Sequence, residues 1–223
     1  MTASPHRTRA HPLKSRSSAI PIAALFVVGL GGTAAYVLGV PPFEERGDIG
    51  AESVCESLGD PEKAAPALER VLPDAPEYSF DDTVSGGSVA QGDSDYTADC
   101  FVSGNGKILL SARTELVPVG SPGATPEDWA SEALDGSSPE EDETFAAGSK
   151  GVVSADRAAV LVPCAGPGNV PGGSYSLSVV VDGKGAGGES GSRVHRGLTD
   201  LAVGAARFSH EKAGCDLPSE LPS

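Results

Sequence analysis

Aromatic side chains are scarce in this chain of 223 residues: they make up 5%, with a single Trp. A carbohydrate cleft or a base-stacking platform, both built from rings, is therefore poorly supplied. Positive charge is equally sparse beyond the first 18 residues. There, 12 basic residues face all 31 acidic ones, giving that part a formal charge of −19. Such a surface repels nucleic acid and anionic headgroups, so nucleic-acid binding is not expected. No C-x-x-C pair occurs among the four cysteines, and only His195 and His210 lie beyond the N-terminal tail. A zinc site needs closely spaced thiolate and imidazole ligands, and that spacing is missing. Phosphate-binding P-loop and G-x-S-x-G patterns are also lacking.

What is present first is one uncharged run, Ala19 to Val40. At about 1.5 Å per residue its 22 residues reach roughly 33 Å, enough to cross a bilayer core. Pro21 falls in the first turn, where proline is tolerated, and Pro41-Pro42 end the helix. Arg7, Arg9, Lys14 and Arg16 precede it, and Glu44, Glu45 and Asp48 follow. By the positive-inside rule residues 1–18 are a cytoplasmic tail, 19–40 a single-pass transmembrane helix, and the rest extracytoplasmic. The run outlasts a signal-peptide core, which favours an uncleaved anchor over a leader cut near Thr33-Ala34-Ala35. Gly31 and Ala35, like Ala19 and Ala23, have the spacing of small residues that lets membrane helices pair.

Cys55, Cys100, Cys164 and Cys215 all lie on the expected outer side. An even number there implies two disulfides, with three possible pairings. Cys55–Cys100 with Cys164–Cys215 is favoured, since each bond then ties a helical segment to a strand in its own half.

After a linker at 41–50, Glu52 to Leu58 reads as helical. Asp60 then caps a helix with Pro61 at its first position and Ala64, Leu68, Val71 and Leu72 on one face, ended by Pro73. Tyr78 to Val84 is a candidate strand, with a loose loop from Ser85 to Ser94. Tyr96 to Ser103 and Lys107 to Val117 alternate around Gly104-Asn105-Gly106, a β-hairpin that places Ile108, Leu110, Ala112, Thr114 and Leu116 on one face. Thr125-Pro126-Glu127-Asp128 opens a helix bearing Trp129, Ala130, Ala133 and Leu134. Gly136 to Gly151 reads as an acidic loop. Arg157 to Cys164 and Ser174 to Asp182 read as strands around a Gly/Pro loop, Ala165 to Gly173. A glycine-rich loop from Lys184 to Ser192 follows. The last helix, Arg193 to Glu211, carries Val194, Leu198, Leu201, Ala202, Ala205 and Phe208 on one face. The expectation is an α+β domain over 51–215, an antiparallel sheet with packed helices, and a disordered tail at 216–223. Each half has a helix and a cysteine-bearing strand pair, which suggests a distant internal repeat.

Local patterns that suggest chemistry are each better explained otherwise. Ser209-His210-Glu211-Lys212 spells S-x-x-K but lies at a helix end without its partner motifs. His195 and His210 fall on the polar side of that helix, where solvent exposure is expected. Asp93-Ser94-Asp95 with Asp99 lacks the glycine and terminal Glu of a calcium loop. Glu140-Glu141-Asp142-Glu143 reads as a solvated loop. Gly183 to Gly191 lacks a P-loop lysine. No catalytic, cofactor-binding or metal residue is assigned; the four cysteines are scaffold.

Ala, Gly, Pro, Val and Asp are abundant and Asn is rare, the mark of a GC-rich genome. Cys55 beside Leu58, Cys100-Phe101-Val102, Val160-Leu161-Val162-Pro163-Cys164, Tyr175-Ser176-Leu177-Ser178-Val179, and Leu198, Leu201 and Ala202 ahead of Cys215 complete the pattern. In these features the chain resembles uncharacterised actinobacterial single-pass membrane proteins with a four-cysteine extracytoplasmic domain. The resemblance implies no ligand or activity. The expected function is a noncatalytic binding module at the cell envelope, meeting an envelope protein or a cell-wall partner. The alternative is an extracytoplasmic hydrolase that uses carboxylates.

Overall fold

A computed structural model describes residues 46–120, 125–135, 142–184 and 191–223. The cytoplasmic tail, the span at 19–40 and linker residues 41–45 lie outside the described residues. Among those described, no helix is long and apolar enough to cross a membrane.

The expected α+β architecture is present. Among the described residues three helices, α1 (Pro61–Val71), α2 (Pro126–Ala133) and α3 (Gly191–Lys212), pack on seven antiparallel strands. The strands are β1 (Tyr78–Ser85), β2 (Thr97–Gly104), β3 (Lys107–Val119), β4 (Glu143–Phe145), β5 (Lys150–Val153), β6 (Arg157–Val170) and β7 (Gly173–Gly183). Their spatial order is β1-β2-β3-β7-β6-β5-β4, so two meanders join through the β3–β7 pair, which runs from Leu110↔Gly183 to Val119↔Ser174. The two cysteine-bearing strands, β2 and β6, each lie one strand out from that pair. The helices break the suggested repeat: α1 precedes its meander and α3 follows the other.

The sheet buries both faces of its second half. Cys100, Val102, Leu110, Ala112, Val160, Val162, Val179 and Val181 meet α1 and α3 in the main core. Val152 and Ala159, with Val180, meet α2 on the opposite face, under Trp129 and Ala130. Near-continuous runs such as Ala158 to Val162 follow from this two-sided burial. Arg157 fixes α2 there. Its guanidinium donates to the carbonyls of Ala133 (3.2 Å) and Asp135 (2.6 Å) and to the Asp182 carboxylate (2.7 Å). The Trp129 indole donates to Ser178 Oγ at 3.0 Å.

Local chemistry explains the elements that were anticipated. Asp60 accepts from Glu62 N at the start of α1, with Pro61 at N1. Thr125 and Asp128 form a reciprocal capping box at α2, and the Thr125 hydroxyl and N–H hold the Asp128 carboxyl below its ordinary 3.8. Asn105 (φ 54°) and Gly106 (φ 70°) make the two-residue hairpin turn with both residues left-handed.

Other expectations are corrected. Residues 52–58 form two 3-10 turns, Ala51–Ser53 and Glu56–Leu58, rather than one helix. A bulge at the β2–β3 step Val102/Ser103 moves Ile108 off the inner face, leaving it exposed while Leu110 is buried. The acidic loop contains β4 and β5 at its end, with residues 136–141 outside the described set. Strand β6 runs on through the expected 165–173 loop to pair Val170 with Gly173. The 85–94 loop holds a 3-10 turn, Val89–Gln91, that buries Val89.

Residues 216–223, expected to be disordered, form a strap tied to the domain. Asp216 N and Leu217 N donate to the Cys164 carbonyl (2.9 and 3.2 Å), and Gly148 N donates to Glu220 O (3.0 Å). Asp216 accepts from Gly166 N (3.2 Å) and from Asn169. Leu221 packs on the core.

Helix α3 meets α1, and the 3-10 turn ahead of it, through glycines. A Cβ on Gly204 would stand 2.5 Å from Leu58 O, and one on Gly197 2.5 Å from Val71 Cγ2. Neither position tolerates a side chain without α3 moving away. Gly204→Ala is expected to lower unfolding stability by about 1–3 kcal/mol in chemical denaturation, through overpacking. An unchanged midpoint would show that the contact is not tight.

Candidate functional site

The helix layer carries a groove of about 950 Å³. It is lined by the first half of α1, the middle of α3, Phe145 and Ala146, and the strap residues Pro222 and Ser223. Its volume is at the upper end for a ligand cleft. The sequence places these residues through two periodicities. Burying Ala64, Ala67 and Leu68 of α1 turns Glu62, Lys63 and Pro66 outward, and burying Leu198, Leu201, Ala202 and Ala205 of α3 turns Val203 and Arg207 outward. Gly59, at φ +89°, makes the turn into α1 close against Gly204.

The groove is mixed in character. Phe145, Val203 and Phe208 give it half-buried apolar surface. Arg70 reaches across from α1 to Asp200 of α3 (2.6 Å), and Arg207 donates to the Pro222 carbonyl. Lys212 lies 5.3 Å from the Phe208 ring centre and 3.4 Å from Glu56.

Beside the groove, the 3-10 turn Glu56–Leu58 is fastened to the sheet edge. Asp82 of β1 accepts from Ser57 Oγ (2.5 Å) and Ser57 N (3.2 Å), next to the Cys55–Cys100 bond. The Cys164–Cys215 bond fastens the other end of the helix layer, just after α3. Both pairings are the ones favoured from the sequence. The Cα separations are 6.0 and 4.5 Å. In the chain-entropy description each loop of this length contributes roughly 3–5 kcal/mol.

The residues singled out from the sequence are scattered. Ser209 of the S-x-x-K pattern is fully buried, while Lys212 points to Glu56 and Phe208. The histidines are half-buried rather than solvent-exposed, and His210 Nε2 donates to the Leu217 carbonyl of the strap at 2.9 Å. Asp95 accepts from Gly87 N (2.9 Å), and Asp99 pairs with Arg113 (2.8 Å). Asp142 and Glu143 lie with Glu127 and Asp135 around a second hollow of about 550 Å³, all four exposed, where Lys150 meets Glu127 at 3.6 Å. Among the described residues no group of three or more His, Cys, Asp or Glu is placed to hold a metal ion.

One buried polar pair was not anticipated. The hydroxyls of Tyr96 (3% exposed) and Ser209 (0%) come together under α3. Burial pushes the Tyr96 phenol above its ordinary 10.0; the Ser209 hydroxyl opposes the shift, and the Asp82 charge adds to it. Alternation at the start of β2 was the available signal for Tyr96. Ser209 gave none, because serine is read as polar. In the unfolded chain this tyrosine ionises at about its ordinary value, so its contribution is complete below that pH and is lost as pH rises through the folded value. Stability is therefore expected to fall with rising pH across the interval between the ordinary and the folded value of this phenol. Tyr96→Phe should flatten that slope in denaturant titrations, and an equal slope in both proteins would place the phenol in water.

In comparison with known proteins, no protein-family model matches the chain, nor does any curated protein or solved structure.

Proposed function

We propose that the chain is a membrane-anchored extracytoplasmic domain that binds an envelope protein or cell-wall partner in the helix-layer groove, without catalysing a reaction. The groove itself carries this reading: a hollow of about 950 Å³ whose walls are braced by two disulfides. Disulfides persist in oxidising compartments, which supports an extracytoplasmic location. The uncharged run at 19–40, preceded by four basic residues, supports the tether and its orientation. A surface of strongly negative net charge suits a protein or glycan partner better than an anionic polymer. The carboxylate-hydrolase alternative draws on the acids around the second hollow, but they sit exposed on its rim, where a raised carboxyl pKa is hard to maintain.

Cysteine placed in the groove tests location and site together. Thr199→Cys lies in the groove, and Arg113→Cys lies on the far face of the sheet. With a membrane-impermeant thiol cross-linker on intact cells, adducts are expected from Thr199→Cys well above those from Arg113→Cys. Equal yields would remove the groove from the proposal. No labelling of either before lysis would remove the extracytoplasmic location.

A further inference from the structure

The end of the strap, Pro222 and Ser223, forms one edge of the groove. The strap, 216–223, has the sequence Asp-Leu-Pro-Ser-Glu-Leu-Pro-Ser and carries no helix or strand. It is gripped chiefly through its backbone. His210 donates to the Leu217 carbonyl, Gly148 N–H to that of Glu220, and Arg207 to that of Pro222. Of these donors Arg207 alone lines the groove, and the backbone carbonyl it holds is one that any peptide offers. Leu221 is the strap's apolar anchor on the core, and Pro222 and Ser223 reach the groove. From there the groove extends past Val203 and Phe208 toward Lys63 and Pro66. Lys63 and Arg207 stand beside that apolar surface, with the acids Asp60, Glu62 and Glu211 also in the lining. Proline-containing segments enter such a groove at low entropic cost, because their backbone is already extended.

We infer that the groove takes an extended, proline-containing peptide segment of an envelope protein, and that the strap occupies its edge as an internal competitor. This rests on the groove being the binding surface, as proposed above. A segment tethered so closely presents itself at an effective concentration on the order of millimolar. It therefore screens the groove against weak ligands, and a partner must displace its last residues or bind alongside them.

The test uses the full chain in detergent and a fluorescent peptide, Leu-Pro-Ser-Glu-Leu-Pro-Ser, copied from 217–223. A chain ending at Leu217 should bind the probe, the intact chain should bind it about tenfold more weakly, and Arg207→Ala in the shortened chain should abolish binding. No binding by a folded shortened chain, or binding indifferent to Arg207→Ala, overturns the inference. Should the shortened chain not fold, a protease site inserted after Leu217 allows the strap to be cut in the folded protein. The cut strap should then exchange with the probe; a strap that the probe never replaces also overturns the inference. Thr199→Cys adducts on cells without probe binding would discard the peptide class and leave the groove standing. Loss of both would discard both.

Discussion

Cys100 and Cys164 are fully buried in β2 and β6, and each is bonded to chain that flanks the helix layer: Cys55 ahead of α1 and Cys215 behind α3. Two covalent staples thus fix the layer at both ends of its path across the sheet. The composition makes this necessary. With so few rings the core rests on Ala, Val and Leu, whose burial yields less per residue than an aromatic's. Small side chains also let the layers approach closely, and α3 carries that to its limit with Gly197 against α1 and Gly204 against the turn ahead of it. Close approach demands a fixed register, which the staples and the Ser57–Asp82 contact supply.

The groove follows from the same constraint. Because α1 and α3 are held at a set distance, the outward residues of each form walls that do not depend on a ligand to assemble them. The Arg70–Asp200 pair joins those walls, although an exposed pair of this kind adds little stability by itself. Binding to a preformed surface avoids much of the ordering cost that a mobile surface incurs. The strap then adds selectivity by occupying one edge through contacts that a competing peptide backbone can imitate.

Much of the fold was legible in the sequence, because local signals there agree with the tertiary result. Asp60-Pro61, Thr125-Pro126 and Asn105-Gly106 each impose a backbone conformation whatever surrounds them. Elements set by distant contacts were not legible. Strand β4 has three residues and β5 has four with a glycine; β5 forms on the edge that β6 offers, and β4 on the edge of β5. The bulge that turns Ile108 outward leaves no mark in the hairpin's alternation. The strap reads as a disordered tail since its anchors are carbonyls, invisible in side-chain chemistry. The cysteine pairing was legible because each half holds one strand cysteine and one at the edge of a helical segment. The groove was not, for it is a relation between two helices 130 residues apart at the Arg70–Asp200 contact.

The helix layer and the strap depend on the disulfides to stay in place over a sheet that holds itself together. Native-state hydrogen exchange of the Cys164→Ala/Cys215→Ala variant addresses this dependence most directly. The prediction is that the amides of Gly148, Gly166, Asp216 and Leu217, all hydrogen-bonded at the strap, exchange at least about tenfold faster while the β3–β7 amides keep their protection. Unchanged protection at the strap, or an equal loss across strap and central strands alike, would contradict it.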